Sequence, residues 1–513
     1  MSQKSYARVF AATTIGIDAH LIEVEADLAH GLMNFFIVGL PDKAIKESKE
    51  RVRAALKNSD LHLPDKLITI NLAPVDVKKQ DALFDVPIAV ALLTASGIIN
   101  KDALFWDETL FLGELSLDGA IRPIKGALPI AHGAKKAGKK RIFLPKENAF
   151  EACAIADIDI IGVATLSELV GHLRNELDLA VTPCLQNYFE HRTETTLDYA
   201  QVKGQVFAKR ALTVAATGGH NCLLVGPPGA GKTMLAERLL TILPPLTFDQ
   251  AVEITKIYSV AGLLQDKNLL RVRPFRNPHH TVSQIGLSGG GSIPIPGEIS
   301  LAHHGILFLD ELTEFCRNTI ETLRQPMESG KITISRAGCS VTYPANFLLA
   351  AAFNPCPCGY FKDGTNKCTC SELIIAKYLA KLSGPLLDRI DIQVNVMAVQ
   401  YEDLSANNPE PAMSSAAMYE LVSKGVAFGQ ARGQTISNAA LSSDQIKQVC
   451  ELTSQAELIL RRYFEKFSIG ARSYHKILKL ARTIADIEQK KIIDEHSIKE
   501  ALFLRISDKT RVR

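Results

Sequence analysis

The sequence predicts an α/β chain with a mixed α+β domain first, a parallel-sheet core next and a small helical domain last. Three patterns lead there. Strand-like and helix-like segments alternate through the first 175 residues. Further on, Cys222–Val225, Ile306–Leu309 and Phe347–Ala352 are apolar at every position, the pattern of parallel strands covered on both faces. Residues 442–513 then read as three amphipathic helices.

Composition narrows the class. A chain of 513 residues accommodates two or three domains, and 47% apolar with 22% charged residues is the balance of a soluble globular protein. A net charge of +3 means that a polyanion partner would need a local basic surface. There is no run of 18 apolar residues and no signal-peptide pattern, so a cytoplasmic protein without membrane contact is expected. Six of the ten cysteines (Cys153, Cys184, Cys222, Cys316, Cys339, Cys450) sit among apolar neighbours and read as core thiols.

Within residues 1–175, Val9–Ile17 and Leu67–Leu72 read as strands, and Lys43–Leu56 and Val86–Ser96 as helices. Residues 176–200 are polar, contain Pro183 and read as a linker. The core occupies 201–400 and the helical domain 401–513. Inside the core, Ser283–Gly297 is rich in glycine and proline and reads as a mobile loop. The basic run Lys135, Lys136, Lys139, Lys140 and Arg141 reads as a solvated helix end.

The sharpest motif is Gly226, Pro227, Pro228, Gly229, Ala230, Gly231, Lys232, Thr233, which fits G-x-x-x-x-G-K-[ST]. It follows an apolar strand and opens a helix expected over Met234–Leu243. Glycines let backbone N–H groups turn toward phosphates, Lys232 can reach the β/γ-phosphates, and the Thr233 hydroxyl can ligate Mg²⁺. ATP with Mg²⁺ is the expected ligand. Asp310 and Glu311 end the next apolar strand, at the carboxyl edge where open α/β sheets bind ligands. Asp310 would serve the Mg²⁺ shell and Glu311 the attacking water. Asn354 could cap the following element or place its amide at the γ-phosphate. Arg389, in Ser-Gly-Pro-Leu-Leu-Asp-Arg-Ile-Asp391, could be a surface ion pair or a finger reaching a neighbouring subunit. The residues alone leave both alternatives open.

Cys356-Pro-Cys358 and Cys368-Thr-Cys370 flank nine residues that include Gly359 and Gly364. Four thiolates in two close pairs can surround one structural Zn²⁺; the alternatives are free thiols or two redox pairs. A polar loop offers no core for four cysteines, which favours zinc. Four thiolates leave no open position for water, so no catalytic role is expected there.

The order Gly226–Thr233, Asp310-Glu311, Asn354, Arg389 resembles an AAA+ ATPase of the Mg-chelatase and MCM group. Met327–Gly338 resembles that group's presensor-1 hairpin. Asn-Pro-His-His-Thr, Ser-Gly-Gly-Gly-Ser and Pro-Gly-Glu-Ile-Ser-Leu-Ala-His-His-Gly within Pro274–Glu311 are closer still to the ComM/YifB family. That likeness runs from Gly39-Leu-Pro-Asp42 to Ala471-Arg-Ser-Tyr-His475. It implies a hexameric ring with Arg389 acting in trans, a sensor-2 role for Arg472 on a C-terminal lid, and an adenine-side contact at Val202–Gln205. The resemblance to the MCM group implies a DNA contact at Arg336, on the tip of a hairpin formed by Lys331–Ile334 and Ser340–Tyr343; the residues alone leave it open as a solvent-exposed turn residue. Residues 1–175 are similar to the Lon proteolytic domain. There Leu128 stands where that family has its lysine, and Lys79–Pro87 offers no serine, so no peptidase activity is expected.

The function the resemblance implies is a hexameric ATP-dependent DNA translocase or helicase promoting branch migration during natural transformation. Its partners would be single-stranded and branched DNA and recombination proteins. The alternatives are an AAA+ ATPase remodelling a protein complex and, opposed by Leu128, an ATP-dependent protease.

Overall fold

The computed structural model describes residues 5–183, 196–398 and 413–505, except positions 33, 40–42, 64, 76, 78–82, 265–268, 292–293, 337–338, 363–366 and 468–469. The chain divides into two compact units, 1–191 with 248–271 and 192–247 with 272–513. Among the described residues no helix is long and apolar enough to cross a membrane.

A seven-stranded sheet forms the first unit. Its order is Asn34–Val38, Leu67–Ala73, Asp18–Ala29, Tyr6–Ile15, Thr109–Phe111, Arg141–Pro145 and Asp159–Val163. Tyr6–Ile15 and Asp18–Ala29 form a hairpin in register from Tyr6↔Asp27 to Ile15↔Asp18. Gly16, at φ 63°, makes the turn, so the expected strand Val9–Ile17 begins earlier and ends at Ile15. Helix Lys43–Asn58 buries Ile45, Val52, Ala55 and Leu56 along one face. Helix Asp85–Ala95 is buried nearly all round, including Asp85. The Asp85 carboxylate meets Arg51 Nε at 2.7 Å and Nη2 at 3.0 Å, and accepts the Leu115 N–H at 3.1 Å. A buried carboxylate persists only with such partners. Leu128 is fully buried, and its N–H donates to Glu151 Oε1 at 3.0 Å. Residues 79–82 of the expected serine region lie outside the described residues. In the basic run Lys135 pairs with Asp157 (2.8 Å), Lys140 pairs with Glu108 (2.6 Å), and Lys139 lies 3.1 Å from the Phe10 ring centroid.

One boundary needs correction. Residues 248–271, placed by sequence within the core at 201–400, pack in the first unit. The reason lies on helix Phe248–Ala261. Val252 joins the apolar core of that unit, Ser259 hydrogen-bonds to Glu151, and Lys256 Nζ lies 2.7 Å from His132 Nδ1.

The second unit holds a five-stranded parallel sheet, in the order Phe275–Arg276, Ile306–Leu309, Leu348–Phe353, Cys222–Val225, Ile392–Asn395. Ile306–Leu309 and Leu348–Phe353 are buried at every position, as fully apolar strands require. The helical region shares this unit. Where three helices were expected beyond residue 442, the described residues contain four: Ser443–Val449, Ser454–Phe467, Ala471–Ile487 and Glu495–Phe503. Helix Ser415–Ala431 precedes them. Apolar periodicity hid the break at Cys450–Thr453. Ser283–Gly297 is also more ordered than a mobile loop. It contains helix Gln284–Ser288 and paired strands Gly289–Gly290 and Ile295–Pro296, and Tyr343 Oη donates to the Pro294 carbonyl at 2.7 Å.

Burial, and then the Lys256 ammonium, push His132 down to about 4, so neutral imidazole accepts at Nδ1. A base whose pKa is depressed on folding contributes stability above its unfolded value near 6.5 that is lost as pH falls toward 4. The thermal midpoint of the wild type should therefore fall more steeply between pH 7 and pH 5 than that of His132→Gln. Parallel slopes in the two melting series would contradict this.

Candidate nucleotide-hydrolysis site

The site grows from the carboxyl ends of three adjacent strands. Cys222–Val225 runs into the glycine loop, where Gly229 and Gly231 sit at φ 75° and 85°, backbone that side-chain-bearing residues rarely adopt. A Cβ at Gly226 would fall 2.2 Å from the Val396 carbonyl oxygen. The following helix begins at Lys232, earlier than the expected Met234, and tightens to a 3₁₀ turn over Arg238–Ile242.

Lys232 is mostly buried and folds back onto the loop. Its Nζ donates to the carbonyls of Gly226 (2.8 Å) and Pro227 (2.9 Å) and to Asn354 Oδ1 (3.0 Å). Burial lowers its pKa, with Asp310 and Glu311 opposing. Thr233 Oγ1 donates to Asp310 Oδ2 at 2.7 Å. Asn354 therefore faces Lys232. Glu311 stands at φ 51°, left-handed for a residue with a side chain, and its N–H donates to Asp310 Oδ1 at 2.9 Å. The arrangement could offer a hydroxyl and a carboxylate to a divalent cation, an ammonium to phosphates, and the Glu311 carboxylate to water. A cavity of about 520 Å³ opens beside it, lined by Glu311, Asn354, Pro357, Lys377, Tyr378 and Lys381 among others.

Two features escaped the motif reading. His280 Nδ1 lies 3.7 Å from Glu311 Oε2, so the Asn-Pro-His-His-Thr segment reaches the candidate water-polarising carboxylate. Only its place just after the edge strand Phe275–Arg276 signalled this. The second is Gly359, at φ 87°, where a Cβ would sit 2.4 Å from Pro228 Cδ. The cysteine loop rests directly on the glycine loop.

In that loop the Sγ atoms of Cys356 and Cys358 are 3.3 Å apart, Cys356 and Cys368 3.8 Å, and Cys358 and Cys368 3.6 Å. With Cys370 all four ligand atoms lie within 4.8 Å of one another. Tetrahedral thiolates at 2.3 Å from a zinc ion are separated by about 3.8 Å, so the cluster could hold one. The Tyr360 N–H and the Cys356 thiol pull Cys358 down to about 6, toward the thiolate a metal needs.

Arg389 and Arg472 are brought to each other and not to the glycine loop. Both guanidinium groups contact Glu328 Oε1, Arg389 at 2.9 Å. In Val202–Gln205, Gln205 Nε2 donates to the Met397 carbonyl at 2.6 Å. The hairpin pairs Lys331–Arg336 with Cys339–Pro344, and Arg336 is exposed at its end; tip residues 337–338 lie outside the described residues. Arg336, Arg324, Gln284 and Ser288 help to line a polar groove of about 740 Å³.

Three family models match the chain. They are "Magnesium chelatase, subunit ChlI" over residues 198–404, "Subunit ChlI of Mg-chelatase" over 24–148 and "Magnesium chelatase, subunit ChlI C-terminal" over 412–505. Competence protein ComM of Haemophilus influenzae is 41% identical over 98% of this chain and 97% of its own length. Uncharacterized protein YifB of Escherichia coli is 40% identical over 98% of both. The magnesium-chelatase 67 kDa subunit of Heliobacterium mobile is 28% identical over 31% of this chain and 28% of its own length.

Because Gly359 touches Pro228, Gly359→Ala should raise the ATP concentration for half-maximal binding by about tenfold, roughly 1.4 kcal/mol of lost phosphate-loop fit. Fluorescent-nucleotide titration reads this directly, and unchanged affinity would mean that the cysteine loop does not shape the nucleotide site.

Proposed function

The chain belongs to the ComM/YifB family of Mg-chelatase-like AAA+ ATPases, and from that premise we propose that it is a hexameric ATP-driven motor that moves on DNA and promotes branch migration of recombination intermediates. The observation that carries the ATPase part is the convergence of Lys232 on Asn354 and of Thr233 on Asp310. In this reading Lys232 binds the β/γ-phosphates while Thr233 and Asp310 hold Mg²⁺, which neutralises charge on the phosphate oxygens. Glu311 orients and polarises the attacking water, and Asn354 fixes the γ-phosphate relative to that water. Arg389, with Arg472 beside it, serves the phosphate of a neighbouring subunit. Such an arginine raises turnover by about 10³- to 10⁵-fold in related phosphoryl-transfer enzymes.

The DNA part rests on Arg336 and on the full-length likeness to a competence protein. Six copies of an exposed arginine around a pore would make a sequence-tolerant ring for phosphates. A role in natural transformation, in the cytoplasm, follows from the same likeness. Cys356, Cys358, Cys368 and Cys370 hold a structural Zn²⁺ in this proposal. The N-terminal unit has no peptidase role, since a buried Leu128 supplies no base. A second reading, a motor remodelling a protein complex, draws support from the three magnesium-chelatase subunit matches.

Glu311→Gln should retain ATP binding and lower turnover by at least about 100-fold. Single-stranded DNA should stimulate wild-type ATPase, and Arg336→Ala should keep the basal rate while losing that stimulation. No DNA stimulation and no DNA retention at moderate salt would favour the protein-remodelling reading. A strand-exchange assay with ATP and with a non-hydrolysable analogue tests branch migration itself. Metal analysis should find one zinc per chain.

A further inference from the structure

Two arginines assigned to the nucleotide cycle come from distant parts of the sequence and end on one carboxylate oxygen. Arg389 Nη2 lies 2.9 Å from Glu328 Oε1, and Arg472 Nη2 contacts the same atom. Arg389 is otherwise tightly held: its Nη1 donates to the Pro385 carbonyl at 2.6 Å, and its side chain is only 12% exposed. Its Nε is buried without a hydrogen-bond partner among the described residues. Burial, and then the nearby Arg324, disfavour its charge. Arg472 is half exposed and opens helix Ala471–Ile487. One turn along that helix, Lys476 pairs with Asp391 at 2.8 Å, two residues after Arg389.

Left alone, two guanidinium groups at this spacing would repel and spread into solvent. A carboxylate between them removes the repulsion and fixes both in one direction. A guanidinium has five N–H donors, so each arginine can keep Glu328 and still present N–H groups to a phosphate. Glu328 itself is held in helix Pro326–Ser329, which Gly330 ends at φ 64°. The carboxylate therefore stands on a fixed stub of backbone and not on a loose loop.

We infer that Glu328 is a positioning residue that holds Arg389 and Arg472 as one bidentate cationic unit for the phosphate of a neighbouring subunit. The inference rests on the reading of Arg389 as a trans-acting arginine. In this inference Glu328 acts through the two arginines. Misplacing such a group by about 1 Å costs about 100-fold in rate in comparable systems.

Complementation in mixed rings separates this role from a general structural one. A Glu328→Gln chain keeps its own glycine loop and Glu311 but misaims its arginines. A Glu311→Gln chain cannot hydrolyse ATP but keeps its arginines aimed. Homogeneous Glu328→Gln protein should bind ATP normally and turn over about tenfold to a hundredfold more slowly. Mixed with Glu311→Gln protein, it should exceed the sum of the two separate rates, because aimed arginines then face intact hydrolytic sites. Arg389→Ala mixed with Glu311→Gln runs alongside. If that pair recovers and the Glu328→Gln pair stays at the average, the positioning role is overturned while the trans arginine stands. If neither recovers, the trans reading falls and takes this inference with it. A wild-type rate for homogeneous Glu328→Gln also overturns it.

Discussion

The nucleotide site depends on one constraint, the parallel register of Cys222–Val225 between Leu348–Phe353 and Ile392–Asn395. Val225 pairs with Phe353 on one side and with Asn395 on the other. Gly226, Asn354 and Val396 therefore leave the sheet at one level. That is why Lys232 can reach the Asn354 amide, and why Gly226 lies so close to the Val396 carbonyl that only glycine fits. Leu309 pairs with Ala351, which sets Asp310 lower on the next strand, within reach of Thr233. A slip of one residue would turn each of these groups to the opposite face. The register is secured by strands so apolar that they have nowhere else to go.

The parts of this arrangement legible in the sequence are those fixed locally. A glycine loop between an apolar strand and a helix defines its own geometry, and the strands Cys222–Val225 and Ile306–Leu309 occur where their apolar runs lie. Less legible were features decided by packing. Helix Phe248–Ala261 looks in sequence like any amphipathic helix of the core. Its partners His132 and Glu151 lie more than 90 residues earlier, and no local pattern names them. The break after Val449 was hidden because two short helices and one long one share the same apolar period. Arg389 and Arg472 were visible as motif positions, but their meeting through Glu328 is a tertiary fact.

The cysteine loop bears on the glycine loop by its place as well as by its thiols. Four thiols at tetrahedral spacing are a metal-binding arrangement on any backbone. Their position matters through Gly359, which presses on Pro228 with no room for a Cβ. A glycine loop must keep strained backbone while empty, and residues at positive φ are ordinarily held by their surroundings. The cysteine loop is one such surrounding. Tyr378 is another local brace: its hydroxyl meets Thr313 at 2.5 Å, tying the helix after the cysteines to the turn that carries Glu311.

Asp391 is buried, a costly position that apolar packing could have filled. Burial alone would push its carboxyl up, but Lys476 and the His220 imidazole, whose Nδ1 lies 3.7 Å away, hold it well below the usual carboxylate range. It also accepts the Asn221 N–H at 3.1 Å, while Asn221 Oδ1 accepts the Leu349 N–H at 2.8 Å. One carboxylate thus ties helix Ala471–Ile487 to the starts of three core strands. Apolar contacts between a helix and a sheet tolerate small slides; a buried ion pair with directed hydrogen bonds does not. Because Lys476 lies one turn from Arg472 and Asp391 two residues from Arg389, fixing the first pair fixes the spacing of the second. The buried charge gives the two arginines a defined place relative to each other.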